Sequence, residues 1–427
     1  MTARPWPLRL MLAANAVSIT GTTMTVLAVP WFVLVTTGSA AKTGVVAACE
    51  TIPLVLSSGL GGPLIERVGA RRTAIASDLL SALGIALIPL LHATVGLQFW
   101  ELCVVVALVG LVRAPGDTSH SVLLPQLQEL AHMPVERATS AFDGVSRGAR
   151  MVGAPLAGAL IAALGPADVL LVDAATFLVS MVLIRAGVPP VTTEPTEHEP
   201  YLQSLREGFR WLRADRLLLG MVSMVMLTNL LDAASGSVLS PVYGREVLHS
   251  SVQLGFLYAT FGLGALTGTV LYGIYGPRLP RWPVFTAAFI IVGAPRFWLL
   301  AVHPSYAVLV AGQVVTGLAC GALNPVLSAV EYERIPAAMQ SRVFGVMSAG
   351  VLAGMPVGAA LAGLSVDQLG LDTTLVVAGA LYLAATVSPL VWARTWRQMD
   401  ATRSRGGDDH VDQHLDLVTD LQRAEHL

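Results

Sequence analysis

Gly187-Val188-Pro189-Pro190-Val191-Thr192-Thr193-Glu194-Pro195-Thr196-Glu197-His198-Glu199-Pro200 opens the longest internal break in the apolar sequence of this 427-residue chain, about residues 187–215. Its prolines and glutamates follow no periodicity, so it reads as flexible linker. Leu202, Leu205, Phe209 and Leu212 then recur at helical spacing opposite Arg206, Arg210 and Arg213. That pattern predicts a short basic amphipathic helix, lying either on the inner leaflet or against the ends of a bundle. Upstream of the break, apolar runs lie at roughly 9–36, 44–65, 73–91, 99–122, 139–163 and 168–186. Downstream they resume at roughly 217–243, 252–275, 283–302, 305–330, 342–366 and 372–393.

Runs of about twenty apolar residues span a hydrocarbon core of ~30 Å as helices and are far too long for barrel strands. The reading is therefore an all-α integral membrane protein of twelve transmembrane helices in two six-helix bundles. Its units are residues 1–186, a linker with its helix at 187–215, residues 216–393, and a tail at 394–427. Composition agrees: 54% of residues are hydrophobic and only 13% charged, about half the charge of a soluble domain. Soluble enzymes, nucleic-acid binders and disordered scaffolds are excluded, and a net charge of −2 points to no polyanionic partner. Cys49, Cys103 and Cys320 lie in apolar runs, which predicts neither a disulfide framework nor metal-ligand spacing. The first apolar run is long and leads straight into further spans, unlike a cleavable signal peptide.

Twenty of the 26 Lys and Arg fall on the side that carries both termini, and the opposite loops hold only Lys42 and Arg245. The positive-inside bias makes the termini cytoplasmic, in a multi-pass protein of the cell membrane. The two halves also repeat. An offset of 211 pairs Pro30 with Pro241, Gly44 with Gly255, Gly62 with Gly273 and Arg67 with Arg278. An offset of 201 pairs Gly144 with Gly345, Gly153 with Gly354, Pro155 with Pro356, Ala159 with Ala360 and Leu160 with Leu361. Two pseudo-symmetric halves in parallel relation suit a rocker-type secondary transporter, with its site between them near the midplane. Lys42, the only lysine, lies in Gly38-Ser39-Ala40-Ala41-Lys42-Thr43, which lacks both glycines of a phosphate-cradling loop. Nucleotide hydrolysis by that route is excluded.

After the second span comes Gly62-Pro63-Leu64-Ile65-Glu66-Arg67-Val68-Gly69-Ala70-Arg71-Arg72. Its glycines suit a tight turn, and an acid among arginines suits charge pairing at an inner gate. The stretch resembles the loop signature of the major facilitator superfamily, with Glu66 in place of the usual Asp and Ala70 displacing the arginine pair by one position. The fifth span's Gly148-Ala149-Arg150-Met151-Val152-Gly153-Ala154-Pro155 is similar to a degenerate antiporter motif. Ser204-Leu205-Arg206-Glu207-Gly208-Phe209-Arg210-Trp211-Leu212, Gly255-Phe256-Leu257-Tyr258-Ala259, Pro30-Trp31 and Thr37-Gly38-Ser39-Ala40 resemble the twelve-helix drug:proton antiporter branch, which contains macrolide-efflux and enterobactin-type siderophore exporters. The resemblance covers roughly residues 9–395. It implies a secondary active exporter moving an amphipathic drug, antibiotic or secondary metabolite out of the cytoplasm in exchange for protons. The partners implied are that substrate, protons and the bilayer, with a monomeric chain, no nucleic acid, no nucleotide and no cofactor. A nutrient importer of the same fold and a non-transporting membrane sensor remain open.

An ionisable group inside a membrane costs something like 2.5–3.5 kcal/mol, so each is a candidate site. Asp232 near the middle of the seventh span and Glu50 in the second are the proton-coupling candidates. Asn15, Arg113, Asp117, Asn229 and Asn324 are the substrate-cavity candidates; Arg113 and Asp117, one turn apart, can also simply neutralise each other. Gly62, Glu66, Arg67, Gly69, Arg71, Arg72, Asp143, Arg147 and Arg150 form the expected cytoplasmic gate. No catalytic residue or metal site is predicted; His410 and His414 read as part of a solvated acidic tail.

Overall fold

The computed structural model describes residues 5–189, 201–336 and 339–400, apart from some side chains within helices, those of Gly62 and Glu66 among them. The linker after Pro189 and the tail with His410 and His414 lie outside the described residues, within which every regular element is helical. The first half runs α1 Trp6–Thr37, α2 Ala40–Val68, α3 Ala70–Thr94, α4 Phe99–Leu130, α5 Val135–Leu164 and α6 Pro166–Gly187. Then α7, Tyr201–Ala214, leads into α8 Arg216–Glu246, α9 Ser251–Tyr275, α10 Arg281–Ala301, α11 Tyr306–Arg334, α12 Arg342–Leu369 and α13 Leu371–Val391.

Eleven of these, in α2 its Ala40–Ser58 portion, are long and apolar enough to cross a membrane. The twelfth crossing is α5, whose thirty residues carry Glu136, Arg137, Asp143, Arg147 and Arg150 in their first half, diluting the hydropathy a span requires. Caps start several helices. Asp215 accepts the Leu217 and Leu218 amides at α8, and Ser250 accepts the Gln253 amide at α9.

The stretch from Gly62 to Arg72 is not the loop its sequence suggests. α2 continues through Gly62 to Val68, and the chain turns on Gly69 alone, at φ +91°. Only glycine takes that conformation freely, so one residue replaces a loop. Similarly, α7 settles against the bundle. Leu212 is buried, Glu207 lies 2.5 Å from Arg342, and a Cβ at Gly208 would come 2.5 Å from the Arg342 carbonyl. Of the two placements its amphipathic pattern allows, this is packing against the end of α12.

The outer surface is apolar. Leu56, Leu83, Leu90, Leu108, Ile274 and Leu381 are all more than half exposed. A patch of that extent belongs in hydrocarbon. The interior divides with the sequence. One buried cluster is drawn from residues 212–399 with Leu34 and Ala40, and two others come from residues 8–188 with Leu254.

The halves meet at the end opposite the termini, through α2 on α12 and α5 on α9. A Cβ at Gly44 would come 2.4 Å from the Ala359 carbonyl oxygen, and one at Gly255 would come 2.6 Å from that of Ala154. Gly363 and Gly158 stand as close to Ala40 and Ser251. Backbones this near each other need glycine for want of any side chain. These contacts respect the repeat, since Gly44 and Gly255 are partners at offset 211. Toward the terminal end the halves part: around Gly144 and Gly345, partners at offset 201, nothing lies within 4 Å of a built Cβ.

Candidate functional site

Among the described residues each half holds an arginine paired to a carboxylate of another helix inside the membrane. Glu50 of α2 accepts a hydrogen bond from the Arg113 guanidinium of α4 at 3.0 Å. Asp117, one turn from Arg113, stands 4.0 Å from its Nε, so Glu50 and not Asp117 is the main partner. In the second half Asp232 of α8 takes a short contact from the Arg296 guanidinium of α10. The proton-coupling candidate Asp232 is thus ion-paired to a neighbouring helix. Beyond one turn, a pairing between residues on different helices leaves no periodic trace.

Backbone irregularities flank the Asp232–Arg296 pair. α8 changes to π-helical geometry over Ser235–Leu239, and the Ser240 amide bonds back to the Ser235 carbonyl. Pro241 follows directly and has no amide to continue the ladder. Single-turn π segments inside helices concentrate at functional sites. Opposite, α10 is interrupted at Gly293, three residues before Arg296. The guanidinium also lies over the Phe297 ring at 4.7 Å and near the Tyr382 ring at 5.7 Å. Its Nε, like that of Arg113, is buried and has no hydrogen-bond partner among the described residues.

A cavity of about 410 Å³ opens between α8, α11 and α12 near the terminal end of the second half. Met221, Phe344 and Met347 supply apolar wall, and Asn324, Ser328 and Ser348 supply hydrogen-bonding groups. Asn324 is thus the one cavity candidate that lines it. Asn229 instead donates to the Val351 carbonyl at 3.3 Å, tying α8 to α12. Asn15 is buried in the first half, donating to the Ser146 hydroxyl at 2.9 Å and standing 3.2 Å from His120 Nδ1. It knits α1, α4 and α5, the ordinary use of a buried amide in a membrane bundle.

The gate candidates are dispersed. Arg71 donates to the Arg185 carbonyl at 2.7 Å, closing α3 on the end of α6. Among the described residues Arg67, Arg72, Asp143, Arg147 and Arg150 form no ion pair, and all five are exposed. Gly62 and Glu66 lie outside the described side chains. At the other end a clasp joins the halves. The Asp367 carboxylate of α12 accepts from the Ser39 hydroxyl at 2.7 Å and from the Ala40 and Ala41 amides at 2.9 and 3.1 Å. It caps the first turn of α2 from across the divide, where a helix N-terminus favours an anion.

Several polar residues escaped the sequence reading. Asp173 of α6 is fully buried, accepting from the Thr25 and Thr176 hydroxyls. His120 is buried, Glu331 lines the cavity, and Asp367 forms the clasp. For Asp173 and His120 the available signal was an ionisable residue inside an apolar run. For Asp367 it was an acid near the end of a span on the side almost devoid of positive charge.

Residues 6–424 match the family model of transmembrane secretion effectors. The chain belongs to that family, a branch of the major facilitator superfamily. It is similar to the multidrug efflux pump Tap of Mycolicibacterium fortuitum, 29% identical over 86% of this chain and 91% of the relative. The Tap pump of Mycobacterium tuberculosis is 28% identical over 92% and 95% of the two chains. Macrolide efflux protein A of Streptococcus pyogenes is 21% identical over 89% and 94%. Among solved structures, the nucleoside transporter NupG superposes with a TM-score of 0.73 at 13% identity, over 90% of this chain and 98% of that one. At that identity the likeness speaks for the fold alone. The chain is therefore a multi-pass membrane transporter of the major facilitator fold.

Proposed function

We propose that the protein exports amphipathic small molecules, such as drugs or secondary metabolites, across the plasma membrane in exchange for protons, by alternating access and as a monomer. The observation that carries this reading is the asymmetry of the two halves. They touch backbone to backbone at one end and part at the other, beside a cavity of drug-accommodating size. With the arginine-rich end in the cytoplasm, the conformation faces inward and its cavity draws from the cytoplasm or inner leaflet. The relatives named as multidrug and macrolide efflux pumps, matched over nearly their whole length, favour export over import.

In this mechanism the clasp at Asp367 holds the far end shut while substrate loads. Turning outward requires the clasp and the glycine contacts to separate and the exposed arginines of α2, α3 and α5 to pair with acidic groups as an inner latch. A proton arriving from outside binds a carboxylate oxygen of Asp232. The neutral acid no longer balances Arg296, whose charge then rests on the Phe297 and Tyr382 rings. The constraint between α8 and α10 is released, and loss of the proton to the cytoplasm restores it. Glu50 and Arg113 form a second pair able to act the same way. The test is substrate movement in proteoliposomes under an imposed pH gradient. Wild-type protein should move a lipophilic antibiotic against its gradient, whereas D232N should bind it with unchanged affinity and fail to concentrate it. Absence of gradient-driven movement by the wild-type protein across a broad panel of lipophilic compounds would overturn the reading.

A further inference from the structure

The segment Glu331-Tyr332-Glu333-Arg334 closes α11 at the terminal end and carries three charges, two of which are paired. Glu333 takes a two-pronged contact from Arg281 at 2.6 and 2.7 Å, and Arg334 donates to Asp215 at 2.8 and 2.9 Å. Glu331 differs. It lines the cavity between α8, α11 and α12 and, among the described residues, its carboxylate has neither an ion pair nor a hydrogen-bond partner.

Among the described residues no positive side chain lines that cavity. Around the acid stand the thioethers of Met221 and Met347, which adapt to ligands of varied shape. The Tyr332 and Phe344 rings meet edge to face with centroids 5.2 Å apart, and ring faces attract cations. A half-buried carboxylate without a counter-ion is costly in a membrane protein unless something positive visits it. Arg334 and Arg342, the bases nearest in sequence on α11 and α12, are already engaged with Asp215 and Glu207.

We propose that Glu331 is the recognition site for the positive group of a lipophilic monocation, such as a phosphonium, a quaternary ammonium or a protonated amine on an aromatic body. The cation docks in the cavity with its charge toward Glu331 and its rings against Met221, Phe344 and Met347. Asn324 and Ser348 serve whatever polar groups the body carries. This rests on the exporter reading in that the cavity is taken to load substrate, and it adds what that reading leaves unnamed, the charge of the preferred substrate and the residue that selects it.

The experiment measures binding to purified full-length protein by equilibrium dialysis. Tetraphenylphosphonium serves as the cation and triphenylphosphine oxide as a related uncharged probe. Glu331→Gln, which keeps the shape and removes the charge, should weaken the phosphonium about tenfold or more, the scale of one lost charge-assisted contact, and leave the oxide unchanged. Glu331→Asp should restore most of the difference. Ser348→Trp, filling the cavity from α12, should weaken both probes. Wild-type phosphonium affinity in Glu331→Gln overturns the proposal, as does an equal loss of both probes or a failure of wild-type protein to bind the cation. The two readings can fail separately: Glu331-dependent binding without gradient-driven transport removes the exporter and keeps the site, and transport with Glu331-independent binding does the reverse.

Discussion

Replacing Asp367 by asparagine should shift the equilibrium between the two ends of the transporter. The carboxylate draws three donors of α2 across the divide, the Ser39 hydroxyl and the Ala40 and Ala41 amides, within 3.1 Å. Asparagine keeps one neutral carbonyl oxygen, so the charge and at least one bond are lost. A hydrogen bond to a charged group contributes about 1.5–3 kcal/mol and a neutral one about 1 kcal/mol. The group is exposed, and solvent screening argues for the lower part of that range, so a loss of about 1.5 kcal/mol is expected. That corresponds to about a tenfold change in the ratio of states closed and open at this end. Val95 and Val302, each 76% exposed, mark the same end of the first and second halves and suit spin labels once Cys49, Cys103 and Cys320 are replaced. Pulsed electron–electron resonance should then show a long-distance component about tenfold more populated, relative to the short one, in D367N than in the parent. An unchanged distance distribution would show that the clasp stabilises nothing and that the glycine contacts alone close this end.

Other perturbations probe the remaining parts. Gly363→Leu places a Cβ 2.4 Å from the Ala40 carbonyl oxygen and should keep the halves from closing. Transport should fall by more than about tenfold with the protein still monodisperse, because the two backbones cannot both stay where they are. Arg67→Ala should slow cycling while leaving substrate affinity intact, read as a lower turnover rate in vesicles; wild-type turnover would remove Arg67 from the inner latch. Asp173→Ala removes the acceptor of the buried Thr25 hydroxyl and should lower stability by about 1–3 kcal/mol, read as a drop in Tm that Asp173→Asn largely avoids. Tags on both ends should be reached by protease only from the cytoplasmic side.

Hydropathy made the fold legible because a membrane leaves the chain few choices. Every apolar run long enough to cross must be a helix, and the expected spans differ from the observed helices mainly by a turn at their ends. The boundaries moved outward because helix continues into the headgroup region, where charged residues such as Arg67 and Arg334 are tolerated in helical conformation and hydropathy falls silent. The repeat was legible for a physical reason as well. Gly44 and its repeat partner Gly255 lie where backbones of opposite halves touch, and a touching backbone admits no substitute for glycine.

The site was legible only one residue at a time. Asp232, Glu50 and Arg113 stood out because a charge in an apolar run is expensive, yet their pairing joins positions 64 and 63 residues apart and depends on how helices are rotated. Periodicity reports which face of a helix is apolar, and in a bundle apolar on all sides it reports little. Arg296 illustrates the point, an arginine inside a span with nothing nearby in sequence to say that Asp232 lies opposite. Glu331 was hidden for the converse reason. It belongs to a run of charges at a helix end, where solvation explains every member equally well. Only packing separates Glu333 and Arg334, which bind their neighbours, from the one carboxylate that faces a cavity without a partner. A charge declares its cost in sequence, whereas its purpose depends on what the fold sets beside it.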